Sequence, residues 1–258
     1  MSGLTSLVLR FAAPLPDLES FQNVLFVGPH PDDIEIGAGA TAAKLAAAGK
    51  HVSFLICIDG RYGAGNAPEG LSPEELAWLR KNEAIASAAA LGVQDVRFLD
   101  FCDGGFYEEE ALVQAMARSI GEIRPELIFA PDPFVSSECH IDHLRVGRAA
   151  CRLACFAPYR GIMDNYGASP APVKALALYM TAKPNRYVKT SAFFARQQAA
   201  IFDCHRSQFP PDAAETRALR AYLKLRAVDF GMRSFCGCAE GFRVLGATHM
   251  HCLPEAGK

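Results

Sequence analysis

NVLFVG (23–28), HVSFLICI (51–58), VRFLDF (96–101) and ELIFAP (126–131) are short, continuous apolar runs, each followed by polar residues and then by a helical pattern. A strand that exposes one face alternates apolar and polar residues. A strand covered on both faces reads as an unbroken apolar run. Regular alternation of such strands with helices predicts a mostly parallel sheet, with right-handed crossovers that put helices on both faces.

The segments between the runs fit that reading. Residues 37–50, GAGATAAKLAAAGK, are Ala-rich and end near a glycine, as a helix with a C-cap does. Residues 59–71, DGRYGAGNAPEGL, are rich in Gly and Pro and read as a loop. Residues 72–92 carry a capping box, with Ser72 as N-cap, Pro73 as first helical residue and Glu75 as partner, and Gly92 closes the helix. Further helices are expected over 108–123, 143–157, 191–205 and 213–230, and a fifth strand over 173–180. EGFRVLG, near the C-terminus, is expected to return as a strand or edge segment. Residues 1–20 read as an N-terminal extension, broken by Pro14 and Pro16, and residues 21–258 as a single domain.

Composition excludes several classes. The chain is 50% hydrophobic and 21% charged, and its 26 basic and 28 acidic residues give a net charge of −2, without a basic run. Nucleic acid is therefore not an expected partner. No window reaches the ~18 apolar residues of a membrane span. Met1 to Pro16 lacks the apolar run of a secretion signal, and nine cysteines are an odd number. A reduced, cytoplasmic protein with free thiols is expected. Cys236 and Cys238 form only a C-x-C, and Cys139 draws notice because it adjoins His140.

In a parallel sheet, ligands gather beyond the carboxyl ends of the strands. The residues that follow the runs are His30, Asp32 and Asp33; then Asp59 and Gly60; then Asp100 to Asp103; then the stretch from Pro131 to His143. The glycines after the first run, Gly28, Gly37 and Gly39, have the wrong spacing for a dinucleotide fingerprint. A cation suits the two carboxylates better. His30 and Asp33, across a turn stiffened by Pro31, offer an imidazole nitrogen and a carboxylate oxygen, both good zinc ligands. Asp32 between them points elsewhere and is placed to take a proton from water. SSECHIDHLRVG (136–147) adds His140, Asp142 and His143 on a second loop of the same rim. His143 fits a third ligand, which leaves a coordination position open. Asp142 is placed to fix the tautomer of His140 and to favour its charged form. The plainer alternative is that both motifs cap the helices they precede and that their histidines are incidental.

GPHPDDIEIGAGAT resembles the first motif of the LmbE-like, or PIG-L, family of zinc-dependent N-acetylglucosaminyl deacetylases, and HIDH resembles its second. RKNEAIASAAALGV (80–93), CHRSQF (204–209) and CAEGFRV (238–244) are similar to later segments of that family, so the resemblance runs from about Val24 to Val244. HPDDIEIG, with Glu35 acidic, is nearest the bacterial subgroup that includes the bacillithiol-pathway deacetylases; Glu35 itself is assigned no chemistry.

The resemblance implies a fold of the class read above, α/β with a Rossmann-like three-layer build and a mostly parallel sheet. It implies His30, Asp33 and His143 as ligands of Zn2+, with Fe2+ suited to the same donors. It implies Asp32 as general base, and His140, oriented by Asp142, as the group that stabilises the intermediate or protonates the leaving amine. The expected activity is hydrolysis of the N-acetyl group of an amino-sugar conjugate, and a homo-oligomer is expected by analogy. Arg61, Asn66 and Arg80 are candidates to contact the substrate, with a pairing of Arg80 to Glu83 as the structural alternative for that residue. The loops 59–71 and 131–143 depart from the family pattern, with Arg61 where an acidic residue is common. Two other functions stay open: a metal-dependent amidase acting on a thiol or other small amide conjugate, and a sugar-binding module that has lost catalysis.

Overall fold

A computed structural model describes residues 11–251 and 253. Residues 1–10 of the expected N-terminal extension lie outside the described residues. The rest of that stretch includes a short 3-10 turn, Leu18–Ser20, which buries Leu18.

The apolar runs become β1 (Asn23–Gly28), β2 (His51–Ile58), β3 (Asp95–Phe101), β4 (Leu127–Pro131) and β5 (Ala175–Tyr179). They belong to a seven-stranded sheet in the order β3-β2-β1-β4-β5-β7-β6, where β6 is Arg186–Lys189 and β7 is Ala239–Gly246. Strands β1 to β5 are mutually parallel, and β7 runs antiparallel to both β5 and β6. EGFRVLG thus forms an inner strand, and β6 takes the edge. RYVK is too short and too polar to announce itself as a strand.

The helices are α1 (Asp33–Ala47), α2 (Pro73–Leu91), α3 (Glu109–Ile123), α4 (Ile141–Phe156), α5 (Arg160–Asn165), α6 (Phe194–Ala199), α7 (Ala214–Arg233) and α8 (Ala247–His251). A π-type turn, Ala200–Cys204, prolongs α6. Two cores result. Leu25, Val27 and Ile128 of the sheet pack on α3 and α4, while Val24, Phe26 and Phe129 pack on α1 and α2. Successive residues of one strand serve opposite layers, which is why the runs are apolar throughout. The Ser72–Glu75 capping box forms, and Gly92 closes α2 at φ +87°, a conformation that favours glycine.

The strand order reverses between β1 and β4, and at such a point the loops diverge and leave a crevice. Phe26 and Phe129, directly opposite in register, stack there with centroids 4.3 Å apart and planes 3° from parallel. The pair makes a rigid apolar floor beneath the loops that follow both strands. Removing one of these buried rings would cost about 3–5 kcal/mol.

Candidate metal centre

His30 leaves β1 through Pro29, and Asp33 opens α1 three residues later. The His30 backbone N–H donates to Asp33 Oδ2 at 2.8 Å, which folds the two side chains toward one another. Asp33 Oδ2 lies 3.3 Å from His30 Nδ1 and 3.3 Å from Nε2 of His143, which arrives from the first turn of α4 beyond β4. Donor atoms of His30, Asp33 and His143 all lie within 4.8 Å of one another. All three residues are largely withdrawn from water.

The outward ring nitrogens complete the pattern. His30 Nε2 faces Asp103 Oδ1 at 3.1 Å and Asp142 Oδ2 at 3.3 Å. His143 Nδ1 lies 3.2 Å from Glu138 Oε2 but is buried without a well-directed hydrogen bond. Two imidazole nitrogens and one carboxylate oxygen, each imidazole backed by a carboxylate on its far side, form a donor set suited to a divalent ion with an open position.

Charge supports the same conclusion. Burial opposes protonation of His30, but its bonds to Asp103, Asp142 and Asp33 outweigh that and raise it well above the usual histidine range. Burial likewise opposes the His143 cation, and Asp33 outweighs it. Asp33 resists burial and stays well below the usual carboxylate range because His143 and His30 face it. The carboxylates that favour charged imidazoles would equally favour a divalent ion held by neutral ones. A second group, His30, Asp103, His140 and Asp142, also brings donors together. There Asp142 is already engaged, accepting from Gly104 N–H and Tyr107 O–H at 2.8 Å each.

Asp32 stands apart from this cluster. Its φ is +120°, a rare conformation for a residue with a side chain, worth ~1–3 kcal/mol of strain. It occupies the N-cap position of α1, but its carboxylate makes no capping bond. Arg80 holds it. That buried guanidinium donates to Asp32 Oδ2 at 3.1 Å, to the Pro31 carbonyl at 2.9 Å and to the Gly60 carbonyl at 2.9 Å. Burial pushes the Asp32 carboxyl up to about 6, against Arg80 and with the help of Asp33.

Several expectations for individual residues change. Arg80 is committed to Asp32 and two carbonyls instead of facing a substrate. It does not pair with Glu83, which accepts from the Ser207 N–H and O–H at 2.8 and 2.6 Å. Asp142 directs its carboxylate to His30, Tyr107 and Gly104, and its Oδ2 is 3.8 Å from His140 Nδ1. The Asp142 backbone N–H instead points at His140 Nδ1, 3.4 Å away, so His140 is the N-cap of α4. The charged form of His140 is disfavoured, by burial first and then by His30 and His143. Arg61 pairs with Asp59 at 2.7 Å and Glu74 at 3.1 Å on the rim, and Asn66 donates to the Gln208 carbonyl at 3.0 Å.

Asp103, Tyr107 and Glu138 carry contacts to which the sequence reading gave no role. Their signal was position: each lies in a polar loop just beyond β3 or β4. The His-x-Ser-Gln segment also gains a structural meaning. His205 Nε2 meets Glu35 Oε1 at 3.3 Å, Ser207 fastens Glu83, and Gln208 donates to the Gly63 carbonyl at 2.8 Å. It ties α1, α2 and the loop after β2 into one frame around the centre.

The family model for GlcNAc-PI de-N-acetylase, PIG-L, matches residues 25–154. The chain is 32% identical to a diacetylchitobiose deacetylase of Thermococcus kodakarensis, over 98% of this chain and 93% of that protein. It is also 32% identical to a 1D-myo-inositol 2-acetamido-2-deoxy-alpha-D-glucopyranoside deacetylase of Kineococcus radiotolerans, over 69% of this chain and 56% of that protein. Among solved structures, N,N'-diacetylchitobiose deacetylase from Pyrococcus horikoshii superposes with a TM-score of 0.86 at 30% identity, over 98% of this chain and 97% of that one. The chain belongs to the PIG-L family. No helix among the described residues is long and apolar enough to cross a membrane.

Proposed function

We propose that the chain is a zinc-dependent hydrolase that removes the N-acetyl group from an N-acetylglucosamine-type amino-sugar conjugate. One observation carries this reading: His30 Nδ1, Asp33 Oδ2 and His143 Nε2 converge on one point beside a separately anchored Asp32. The names of the relatives, which are deacetylases of diacetylchitobiose and of an acetamido-deoxyglucosyl inositol, support the substrate class.

His30, Asp33 and His143 are the ligands. Bound there, a zinc ion would polarise the amide carbonyl and lower the pKa of water toward ~7, and ferrous iron suits the same donors. Asp32 is the general base. Its carboxyl, raised to about 6, takes a proton from the attacking water and can pass it to the departing amine. Arg80 keeps that carboxylate ionised and aimed. His140 acts as a neutral donor. With Nδ1 facing the Asp142 N–H, the ring proton belongs on Nε2, which is free to stabilise the oxyanion by ~3 kcal/mol. Asp142 acts at one remove, by orienting His30. Arg61 and Asn66, on the loop after β2, line the approach of the sugar. Acetate and a free amine are the products. Residues 21–258 work as one catalytic unit in a reduced, cytoplasmic setting; the single sheet and the free thiols of the described cysteines support this.

The test is acetate release by zinc-loaded protein from N-acetylglucosamine, N,N'-diacetylchitobiose and N-acetylglucosaminyl inositol. Asp32→Asn should keep its zinc and lose on the order of 10²–10⁴ in turnover. His143→Ala should lose zinc. Amine release without acetate, or full turnover by Asp32→Asn, would overturn the proposal.

A further inference from the structure

Trp78 is the chain's single tryptophan, and on α2 it leaves 69% of its surface in water. It forms one wall of a groove of about 220 Å³, and Phe98 of β3 gives a second ring. Lys81 lies over the Phe98 ring, with Nζ 4.6 Å from its centre, and donates to both Asp100 oxygens at 2.9 Å. At the other end of the groove Arg61 spans Asp59 and Glu74, at 2.7 and 3.1 Å. Pro31, which stands between His30 and Asp32 in the chain, is also part of the wall.

The backbone of β3 is irregular at this groove. Ile56 of β2 pairs with Phe98, but Ile58 pairs with Phe101, so β3 carries one residue more than its partner over that step. Asp100, inside the step, holds φ +54°, a left-handed conformation that aspartate tolerates better than most residues with a side chain. Extra residues of this kind re-aim side chains and gather beside functional sites. Here the irregularity sets a carboxylate against Lys81 at the rim of an aromatic-walled groove.

We infer that this groove is a second carbohydrate site, which takes a neutral pyranose ring of the N-acetylglucosamine type. The choice of sugar rests on the proposed amino-sugar substrate. A pyranose has apolar C–H faces and a rim of hydroxyls. Trp78 and Phe98 suit the faces, while the charged pairs Lys81–Asp100 and Arg61–Glu74 suit the rim, because hydrogen bonds to charged groups are the strong ones. The lining holds three carboxylates, of Asp59, Glu74 and Asp100, against the two cations Arg61 and Lys81, which disfavours a phosphate or another anion. A wholly apolar ligand would strip water from those charges without replacing its hydrogen bonds. Arg61 borders both this groove and the approach to the metal centre, so the two sites adjoin.

Because Trp78 is the only tryptophan, its fluorescence reports this groove. Zinc-loaded Asp32→Asn protein, titrated with N,N'-diacetylchitobiose, is expected to show a saturable shift of tryptophan emission to shorter wavelength. His143→Ala and zinc-free wild-type protein should show the same shift at the same midpoint. Lys81→Met and Asp100→Asn should each raise the dissociation constant about tenfold, with unchanged circular dichroism. Acetate release does not enter this measurement, so failure of the hydrolytic reading would leave the shift in place. An absent shift would overturn the inference, as would an equal shift with inorganic phosphate. So would a shift that disappears in both His143→Ala and zinc-free protein, which would place the sugar at the metal centre, or a midpoint that neither Lys81→Met nor Asp100→Asn moves.

Discussion

Replacing Arg80 by methionine would separate two accounts of that residue. Its guanidinium spans Pro31, Gly60 and Asp32 with bonds of 2.9, 2.9 and 3.1 Å. Methionine fills most of the volume and supplies neither charge nor donors. A carboxyl beside an arginine is held down by about 1–3 pK units, each worth ~1.4 kcal/mol. Burial already raises Asp32 to about 6, and Arg80 is the strongest influence opposing it. The sign follows: without Arg80 the carboxyl rises further, and at neutral pH a larger share of it is protonated and unable to act as base. The acid limb of the kcat profile should therefore move up by about 1–3 units, and kcat at pH 7 should fall by about twofold at the low end of that range and about a hundredfold at the high end. A divalent ion on Asp33 lowers the limb in both proteins and leaves the difference between them. Stability should fall as well, by ~3–5 kcal/mol, because buried partners lose their donor. The assay is acetate release across the neutral range, with kcat and KM resolved and zinc measured on the same samples. Arg80→Lys keeps the charge without the planar fork, so it should recover the position of the limb better than the absolute rate. An unmoved acid limb with a raised KM would refute the reasoning and return Arg80 to the role of a substrate contact.

Asp142→Asn and Tyr107→Phe should each weaken zinc binding, together by ~10–100-fold, because both loosen the carboxylate that orients His30. Unchanged zinc affinity with lowered kcat would instead assign Asp142 to His140. Glu240 is buried, and its carboxyl accepts from the Ala40 and Thr41 backbone N–H groups and from Gln197. Burial raises it to about 7, against an unfolded value of ~4.3, so native protein binds the extra proton between those values. That stability is fully present below ~4.3 and is lost as pH rises through about 7, a fall of ~3 kcal/mol that Glu240→Gln should abolish in denaturant titrations. Parallel curves for the variant and the wild type would refute this. Gly37→Ala would drive a methyl group into the Tyr179 ring, which cannot retreat because its O–H is tied to the Val27 carbonyl at 2.8 Å. The expected loss is ~1–3 kcal/mol by thermal unfolding, and an unchanged midpoint would show that the ring yields.

What the sequence reveals of this molecule, and what it hides, follows from the range of each interaction. Strands β1 to β5 are legible because burial on both faces writes each as a local apolar run. The start of α1 is less so, because Asp33 and Glu35 look like loop residues, although carboxylates favour the first turn of a helix. The place of β7 between β5 and β6 depends on pairings of Ala175 with Gly246 and of Lys189 with Ala239, which no local pattern encodes. The same distinction runs through the candidate metal centre. His30 and Asp33 are three residues apart and His143 stands in an equally compact motif after another strand, so local motifs bring them forward as candidates, and the family resemblance groups them as a set. The partners of these side chains are nonlocal. Asp142 reaches His30 across 112 residues and Arg80 reaches Asp32 across 48, both by crossing from one rim loop or helix to another. A neighbour in sequence, His140 for Asp142 or Glu83 for Arg80, was the natural expectation in each case. Buried polar groups, however, take the partner that three-dimensional packing brings within hydrogen-bonding reach. Here that rule hands Asp32, the proposed base, to Arg80 and His30, a proposed ligand, to Asp142, so long-range contacts orient the side chains that short-range motifs bring forward.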